Sequence, residues 1–305
     1  MSVELRKRIY SSFAKEANDA GVQWIVLHGI EGYPGSIGRD LDVKAIDPAS
    51  ATRLLEIFEG VLRREKLKWI VHTSPTWGRR LLGITETYGV VELHTIDRVR
   101  IVNVEFKPDW KAIEYVEGLF PVERFVTFCK ACLLPAIMGD KSWRKKCDGA
   151  PEPKGIPWWS GRAAGQAIAR TDIDRGSKAV LCGGFLVSHP FVSLASAFHW
   201  LRTKTRARVE PTVPVFALPE WMEPTEFEEL IKDRLGELFL KVVCADQLSI
   251  GAIKSRQARQ QMIYVTGDKA DKIGALEVGP DPLSQEELLQ FLVRSFCEFN
   301  EQWRS

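Results

Sequence analysis

Two acidic residues stand out for the chemistry that their setting allows. In Trp24–Lys44, WIVLHGIEGYPGSIGRDLDVK, an apolar strand runs into a glycine-rich turn and then into a second strand carrying Asp40 and Asp42. The period-2 alternation of a strand puts Asp40, Asp42 and Lys44 on one face and Leu41, Val43 and Ala45 on the other. Carboxylates at i and i+2 lie roughly 6–7 Å apart at Cα and can lean toward one point. That is poor for folding and good for a divalent metal, and hard oxygen ligands favour Mg²⁺ or Mn²⁺. A solvated strand face is the other reading of the same pattern.

Residues 79–96 read as a hairpin: RRLLGITET, then Tyr88-Gly89, then VVELHTI. With those two residues as the loop, Thr87 pairs with Val90, Thr85 with Glu92 and Gly83 with His94. One face then holds Leu82, Ile84, Val91 and Leu93. The other holds Arg79, Thr85, Glu92 and His94. His94 is a structural partner of a neighbouring carboxylate or a contact to substrate, and Arg79 is a phosphate contact or an exposed strand-end arginine.

These residues resemble the nucleotidyltransferase superfamily that includes DNA polymerase beta and the aminoglycoside nucleotidyltransferases. Its pattern is h-G-[G/S], a spacer, then D-h-[D/E]-h. Here Gly29 is followed at matching spacing by Asp40-Leu41-Asp42-Val43, with Ile30 where the family prefers Gly or Ser. The form HGIEGYPGSIGRDLDV looks closer to the nucleotidyltransferase-like proteins associated with bacterial polysaccharide gene clusters, some of which are fused to a thymidylate-kinase-like domain. The resemblance implies transfer of NMP from an NTP to a hydroxyl or phosphate acceptor, as in polysaccharide or glycoconjugate biosynthesis. It implies a third carboxylate from a later strand, for which Val91-Glu92-Leu93 is the candidate. Asp40, Asp42 and Glu92 would then be the catalytic residues and hold Mg²⁺ or Mn²⁺, with nucleotide contacts at His28, Gly29, Arg39, Lys44, Arg79 and Lys130. Two other readings stay open: a non-catalytic nucleotide-binding or scaffold protein with a decayed kinase-like domain, and a protein modifier of the toxin–antitoxin type.

The elements that must position these groups can also be read. The 305 residues, 45% hydrophobic and 27% charged, suffice for an α/β protein of two domains. Residues 2–20 form an amphipathic helix ending at Gly21, and Val22–His28 is a strand. Asp47-Pro48 caps a helix running to Arg64, Lys68–His72 is a strand, and Arg100–Phe106 completes a mixed sheet. Pro121–Met138 is a buried helix bent or ended near Pro135 that presents Lys130. Cys129 and Cys132, a lone CxxC, read as helix packing. We expect residues 1–146 to form the nucleotidyltransferase-like domain, 147–211 a linker with a long helix from Ala179 to Arg206, and 212–305 a small α/β domain with a parallel sheet.

In that last part the order strand, helix, strand, helix, strand, helix resembles a nucleoside-monophosphate-kinase-like domain, but the chemistry of a P-loop is absent. The strand-to-helix turn reads Pro219-Glu220-Trp221-Met222-Glu223-Pro224-Thr225, without the glycines and lysine that surround a phosphate. Thr225 and Glu228 have the spacing of a capping box, and Gly267-Asp268-Lys269 reads as a turn. A net charge of +2 does not point to nucleic acid, despite basic clusters at 141–146 and 202–208. No apolar run reaches the ~18 residues of a membrane span, and the cysteines suit a reduced, cytoplasmic setting.

Overall fold

A computed structural model describes residues 1–30, 32–74, 78–101, 103–140, 143–147, 150, 152–206, 213–239, 241–257, 261–266, 270, 273–279 and 281–301. It is an α/β protein built on one mixed sheet and one parallel sheet. Helix α1 (Val3–Asp19) starts at Ser2, whose hydroxyl accepts from Leu5 N–H, and stops before Gly21 at φ +67°. Strand β1 (Trp24–His28) and strand β2 (Asp40–Ala45) follow as an antiparallel pair. Asp47 accepts from Ser50 N–H and Pro48 occupies the first turn, which fixes the start of α2 (Pro48–Arg64).

Strands β3 (Lys68–Ser74), β4 (Gly78–Ile84) and β5 (Val90–Thr95) complete a five-stranded sheet in the order β1-β2-β5-β4-β3. Only the β2–β5 pair is parallel. The hairpin register differs from the two-residue-loop expectation. Ile84 pairs with Val90, Leu82 with Glu92 and Arg80 with His94, leaving Thr85–Gly89 as the loop. Thr85 N–H donates to the Gly89 carbonyl and its hydroxyl accepts from Gly89 N–H, so the longer loop is closed by its own polar groups. The register is offset by an odd number, which exchanges the faces of β4. The segment expected to complete the sheet instead forms a separate hairpin, β6 (Val99–Ile101) with β7 (Val104–Phe106), and a second small hairpin follows, β8 (Glu114–Val116) with β9 (Phe120–Val122).

The two faces of the large sheet are covered differently. Val26, Leu41, Val43, Leu81, Val91 and Leu93 pack under α1 and α2 in one core. On the other face, Ile25 and Leu27 at the β1 edge join a second core. Above them run α3 (Arg124–Phe128), a π-helical turn (Cys129–Leu133) and α4 (Leu134–Met138), followed by the short α5 (Trp143–Lys146). The helix expected over Pro121–Met138 is therefore one rod with a π turn, and the buried Cys129 and Cys132, neither in a disulfide, pack within that turn. The stretch expected as a linker also enters this core. Trp159, α6 (Gly161–Ile168) and α7 (Arg175–Ser188) contribute Ala163, Ala164, Ala167, Leu181 and Phe185. The long helix expected over 179–206 is broken at Pro190, where α8 (Pro190–Arg206) starts.

At the opposite edge of the same face, Ile70, Leu82, Ile84 and Val90 pack against the C-terminal unit. That unit is a parallel sheet, in the order β11 (Lys241–Cys244), β12 (Gln261–Val265), β10 (Val215–Ala217), β13 (Leu276–Glu277). Its helices are α9 (Pro224–Arg234), α10 (Ile250–Gln257) and a final helix, Gln285–Glu301. The expected capping box at Thr225 is not formed: α9 begins after Glu223, and Glu228 accepts from the Tyr264 hydroxyl instead. A reciprocal box stands at the final helix, where Ser284 and Glu287 bond each other's backbone N–H. Met222, in the strand-to-helix turn, is buried in the shared core. Gly267-Asp268-Lys269 lies outside the described residues.

Because Leu82 is buried between the two sheets, Leu82→Ala should cost about 2–5 kcal/mol and should lower the stability of both parts together. Urea unfolding followed by tryptophan fluorescence and by far-UV circular dichroism should give coincident, shifted transitions. A C-terminal transition at the unchanged midpoint would show that the shared core does not link the two.

Candidate active site

Between the two covered patches on that face of the sheet lies a polar strip. It exists because β2 and β5 are parallel and in register. Asp40 stands opposite Glu92, and Asp42 opposite His94, on strands about 4.8 Å apart. The register is held from below by Tyr10 of α1, whose buried hydroxyl donates to the Arg39 carbonyl (2.5 Å) and accepts from Glu92 N–H (3.1 Å). From the β1 side, His28 is the cross-strand neighbour of Asp42, just past an irregularity in the β1–β2 ladder. Gly29 has φ +108°, and a Cβ there would come within 2.2 Å of the Asp40 carbonyl. Only glycine fits, because the turn back from β1 lies flat against β2.

Asp42 is the most fully engaged of the three carboxylates. Its Oδ1 lies 2.9 Å from His94 Nδ1 and its Oδ2 lies 2.9 Å from the Lys130 ammonium, in a side chain only 8% exposed. An ionised carboxylate only accepts, so His94 Nδ1 carries the proton. Burial alone would raise this carboxyl, but Lys130 and the His94 hydrogen bond hold it well below the usual carboxylate range. Glu92 behaves in the opposite way. Burial pushes it up, the neighbouring Asp40 adds to that, and its ion pair with Arg80 works against both. Asp40 is half-buried. The strip therefore holds one firmly ionised carboxylate and one whose protonation is favoured by its surroundings.

Lys130 reaches the site because α3 is pinned to β1: the Thr127 hydroxyl donates to the Val26 carbonyl at 2.9 Å. The π turn then carries Lys130 at its second position, and such widened turns recur at functional sites. Of the other residues expected to contact nucleotide, Arg39 is turned aside, with its guanidinium donating to the Glu237 carbonyl (2.8 Å). Lys44 shares the Asp42 face but bonds the Asp97 carbonyl (2.5 Å), and burial lowers its pKa. Arg79 is not part of the site. The corrected register places it on the helix-covered face, where it donates to the Thr52 hydroxyl of α2 at 2.8 Å. Arg80 takes its place beside Glu92. The sequence carried no signal for this exchange, because Leu81 and Leu82 are both apolar and both buried.

The three carboxylates suit a hard divalent ion by donor type and by sharing a face. Among the described residues, no group of three or more His, Cys, Asp or Glu side chains has the geometry to hold a metal. Instead the Lys130 ammonium stands against Asp42 Oδ2, where an ion held by this carboxylate would bind. Comparison with known proteins finds no matching family model, no matching curated protein and no matching solved structure.

Lys130→Met should destabilise the fold by about 3 kcal/mol at neutral pH, the cost of leaving a buried carboxylate without its cation. The Asp42 pKa is depressed in the folded state, so its stabilisation is present above the unfolded value of about 3.9 and is lost as pH falls through the folded value. The gap between parent and variant should therefore narrow once the pH drops below about 4. Denaturant midpoints measured across pH check this, and a gap that ignores pH would mean that Lys130 acts through packing alone.

Proposed function

We propose that the chain is a metal-dependent nucleotidyltransferase that moves NMP from an NTP to a hydroxyl or phosphate acceptor, releasing pyrophosphate. The observation that carries this reading is the in-register juxtaposition of Asp40 with Glu92, and of Asp42 with His94, on adjacent parallel strands. Asp40, Asp42 and Glu92 are the residues that would hold Mg²⁺ or Mn²⁺. An ion there would supply charge stabilisation to the attacking and leaving oxygens of an in-line displacement.

The chain's own groups have separate tasks in this reading. His94 fixes the orientation of Asp42 through its Nδ1–H, and Asp42 stays ionised at any physiological pH. Lys130 neutralises Asp42 in the resting site and lies within reach of an incoming phosphate. Arg80 balances Glu92 and offers a second cation on the same face. Gly29 lets the backbone after β1 lie close to β2, leaving room for the phosphates. The polysaccharide or glycoconjugate setting rests on the resemblance of HGIEGYPGSIGRDLDV, and six cysteines outside any disulfide support a reducing, cytoplasmic one.

One observation favours a second reading, a non-catalytic nucleotide-binding or scaffold protein. The oxygens of Asp42 are already satisfied by His94 and Lys130, and Glu92 is paired with Arg80. A site neutralised by its own side chains needs no metal to be stable.

Calorimetry with each common NTP and Mn²⁺, followed by mass spectrometry of candidate acceptors, separates the two. Under the first reading one NTP binds only with the ion, and Asp42→Asn loses several kcal/mol of transition-state stabilisation, roughly a hundredfold or more in rate. Metal-independent NTP binding that Asp42→Asn leaves intact, without turnover, would replace it with the second.

A further inference from the structure

Helix α8 is turned inside out relative to an ordinary surface helix, and α7 carries apolar side chains on its outer face as well as its inner one. Among the described residues of α8 the fully buried side chains are two hydroxyls, with half-buried Val192 beside them. Ser193 accepts from Asn103 Nδ2 at 2.8 Å, and Ser196 Oγ lies 3.3 Å from Glu105 Oε2, with both serines buried. The large apolar side chains face outward instead. Phe191 is 87% exposed, Phe198 68% and Leu194 63%. On α7, Leu181 and Phe185 point into the core while Val187 is 78% exposed, with Val180 and Leu186 also outside. A chain ordinarily turns such residues inward, and contiguous exposed patches of this kind mark a surface with a partner.

Three further features select the partner. The two helices meet at a bend of 117° at His189-Pro190, so Val187 and Phe191 flank the apex of a wedge. Trp158, itself 67% exposed, lies against Gly184 on α7, an aromatic of the kind that settles at a membrane–water boundary. From Arg175 to Val209 the sequence holds six basic residues, Arg175, Lys178, Arg202, Lys204, Arg206 and Arg208, and no acidic one, in a chain of net charge +2; of these, Lys178 donates to the Ile137 carbonyl at 3.0 Å, and the basic character of the run rests on the other five. No single described helix is long and apolar enough to cross a membrane. Apolar residues beside a purely basic run are the pattern of an element that lies in the interface of an anionic bilayer.

We propose that the α7–α8 hairpin docks the protein on the surface of anionic membranes, with Val187, Phe191, Leu194 and Phe198 entering the headgroup boundary and the basic residues that flank them in sequence supplying the attraction to acidic headgroups. The site around Asp42 plays no part in this argument, so the docking stands or falls independently of the activity proposed above.

The test is co-sedimentation of the full chain with vesicles of phosphatidylcholine alone and of phosphatidylcholine mixed with phosphatidylglycerol, at low and high salt. The protein should pellet with the anionic vesicles only, and high salt should weaken the binding. Phe191→Ser combined with Phe198→Ser should reduce partitioning by at least roughly tenfold, the loss expected for two exposed aromatics. The thermal melt should be unchanged, since both residues lie outside the core. Arg202→Gln, Lys204→Gln and Arg206→Gln together should remove the preference for anionic lipid. Absence of vesicle binding would overturn the proposal, as would a concentration-dependent dimer in sedimentation velocity that the Phe191→Ser variant abolishes, because a second copy would then cover the face. Equal binding to neutral vesicles would overturn it as well.

Discussion

The pairing of β2 with β5 is the constraint around which this structure is arranged. It is the only parallel pairing in the large sheet, and it sets Asp40 directly beside Glu92. Like charges at adjacent cross-strand positions are destabilising, and burial of Glu92 increases that cost. The structure compensates on every side. Arg80 is brought to Glu92 from β4, Lys130 to Asp42 from the π turn, and His94 to Asp42 along the register itself. Tyr10 locks the backbone of both strands from the opposite face. Removing the acidic residues would leave those cations without purpose, so the strip is a unit rather than a collection of exposed charges.

The compensation explains the architecture around it. A sheet whose second face carried only charge could not be covered by apolar helices. Here that face is divided in three, with an apolar patch at the β1 edge, the polar strip in the middle and an apolar patch at the β3 edge. Each patch has its own cover: α3, the π turn, α6 and α7 on one side, and the C-terminal parallel-sheet unit on the other. The covers stop where the charges begin, and Asp40, Asp42 and Glu92 lie along the strip between them. The C-terminal unit thus has a structural role that does not depend on phosphate chemistry. Met222 fills its strand-to-helix turn from within, and Glu237 bonds Arg6 and the Val90 N–H across the junction.

How much of this the sequence disclosed depended on whether local chemistry fixed the answer. Ser2, Gly21, Asp47-Pro48 and the alternation of DLDVKA determine α1, α2 and β2 from neighbouring residues alone, and those elements are where the pattern places them. The joint facing of Glu92 and His94 was legible for the same reason. The β4 face was not. RRLLGI is apolar on both sides because both sides are buried, so alternation carries no register information, and a loop of five residues rather than two decides whether Arg79 or Arg80 meets Glu92. Lys130 entered as a nucleotide contact through the resemblance alone, and the residues around it gave no sign that it would pair with Asp42. Its arrival at Asp42 depends on the Thr127–Val26 bond and a π turn, neither of which has a sequence signature. The packing of residues 147–211 was hidden by their Pro/Gly-rich start. That composition describes a loop well and says nothing about Trp159 closing over Phe106 and Phe185.

The outward-facing hairpin and the polar strip are close neighbours in the fold even though they are far apart in sequence. Glu105, on β7, lies against Ser196 of α8 and within range of Arg98, and it also bears electrostatically on Lys44. Lys44 belongs to the same face of β2 as Asp42. A short run of contacts, α8 to β7 to β2, therefore separates the apolar wedge from the carboxylates. Contiguity alone does not establish that one site influences the other, but it has a geometric consequence. A surface engaged by the wedge would lie on the α3 side of the strip rather than the side covered by the C-terminal unit. An acceptor anchored in that surface would then approach Asp42 past Lys130 and Lys44, the two lysines nearest the acidic strip, and would meet positive charge before it met the carboxylates. That order suits an anionic acceptor better than a neutral one, because the charges that steer it lie on the path and the charges that repel it are already paired.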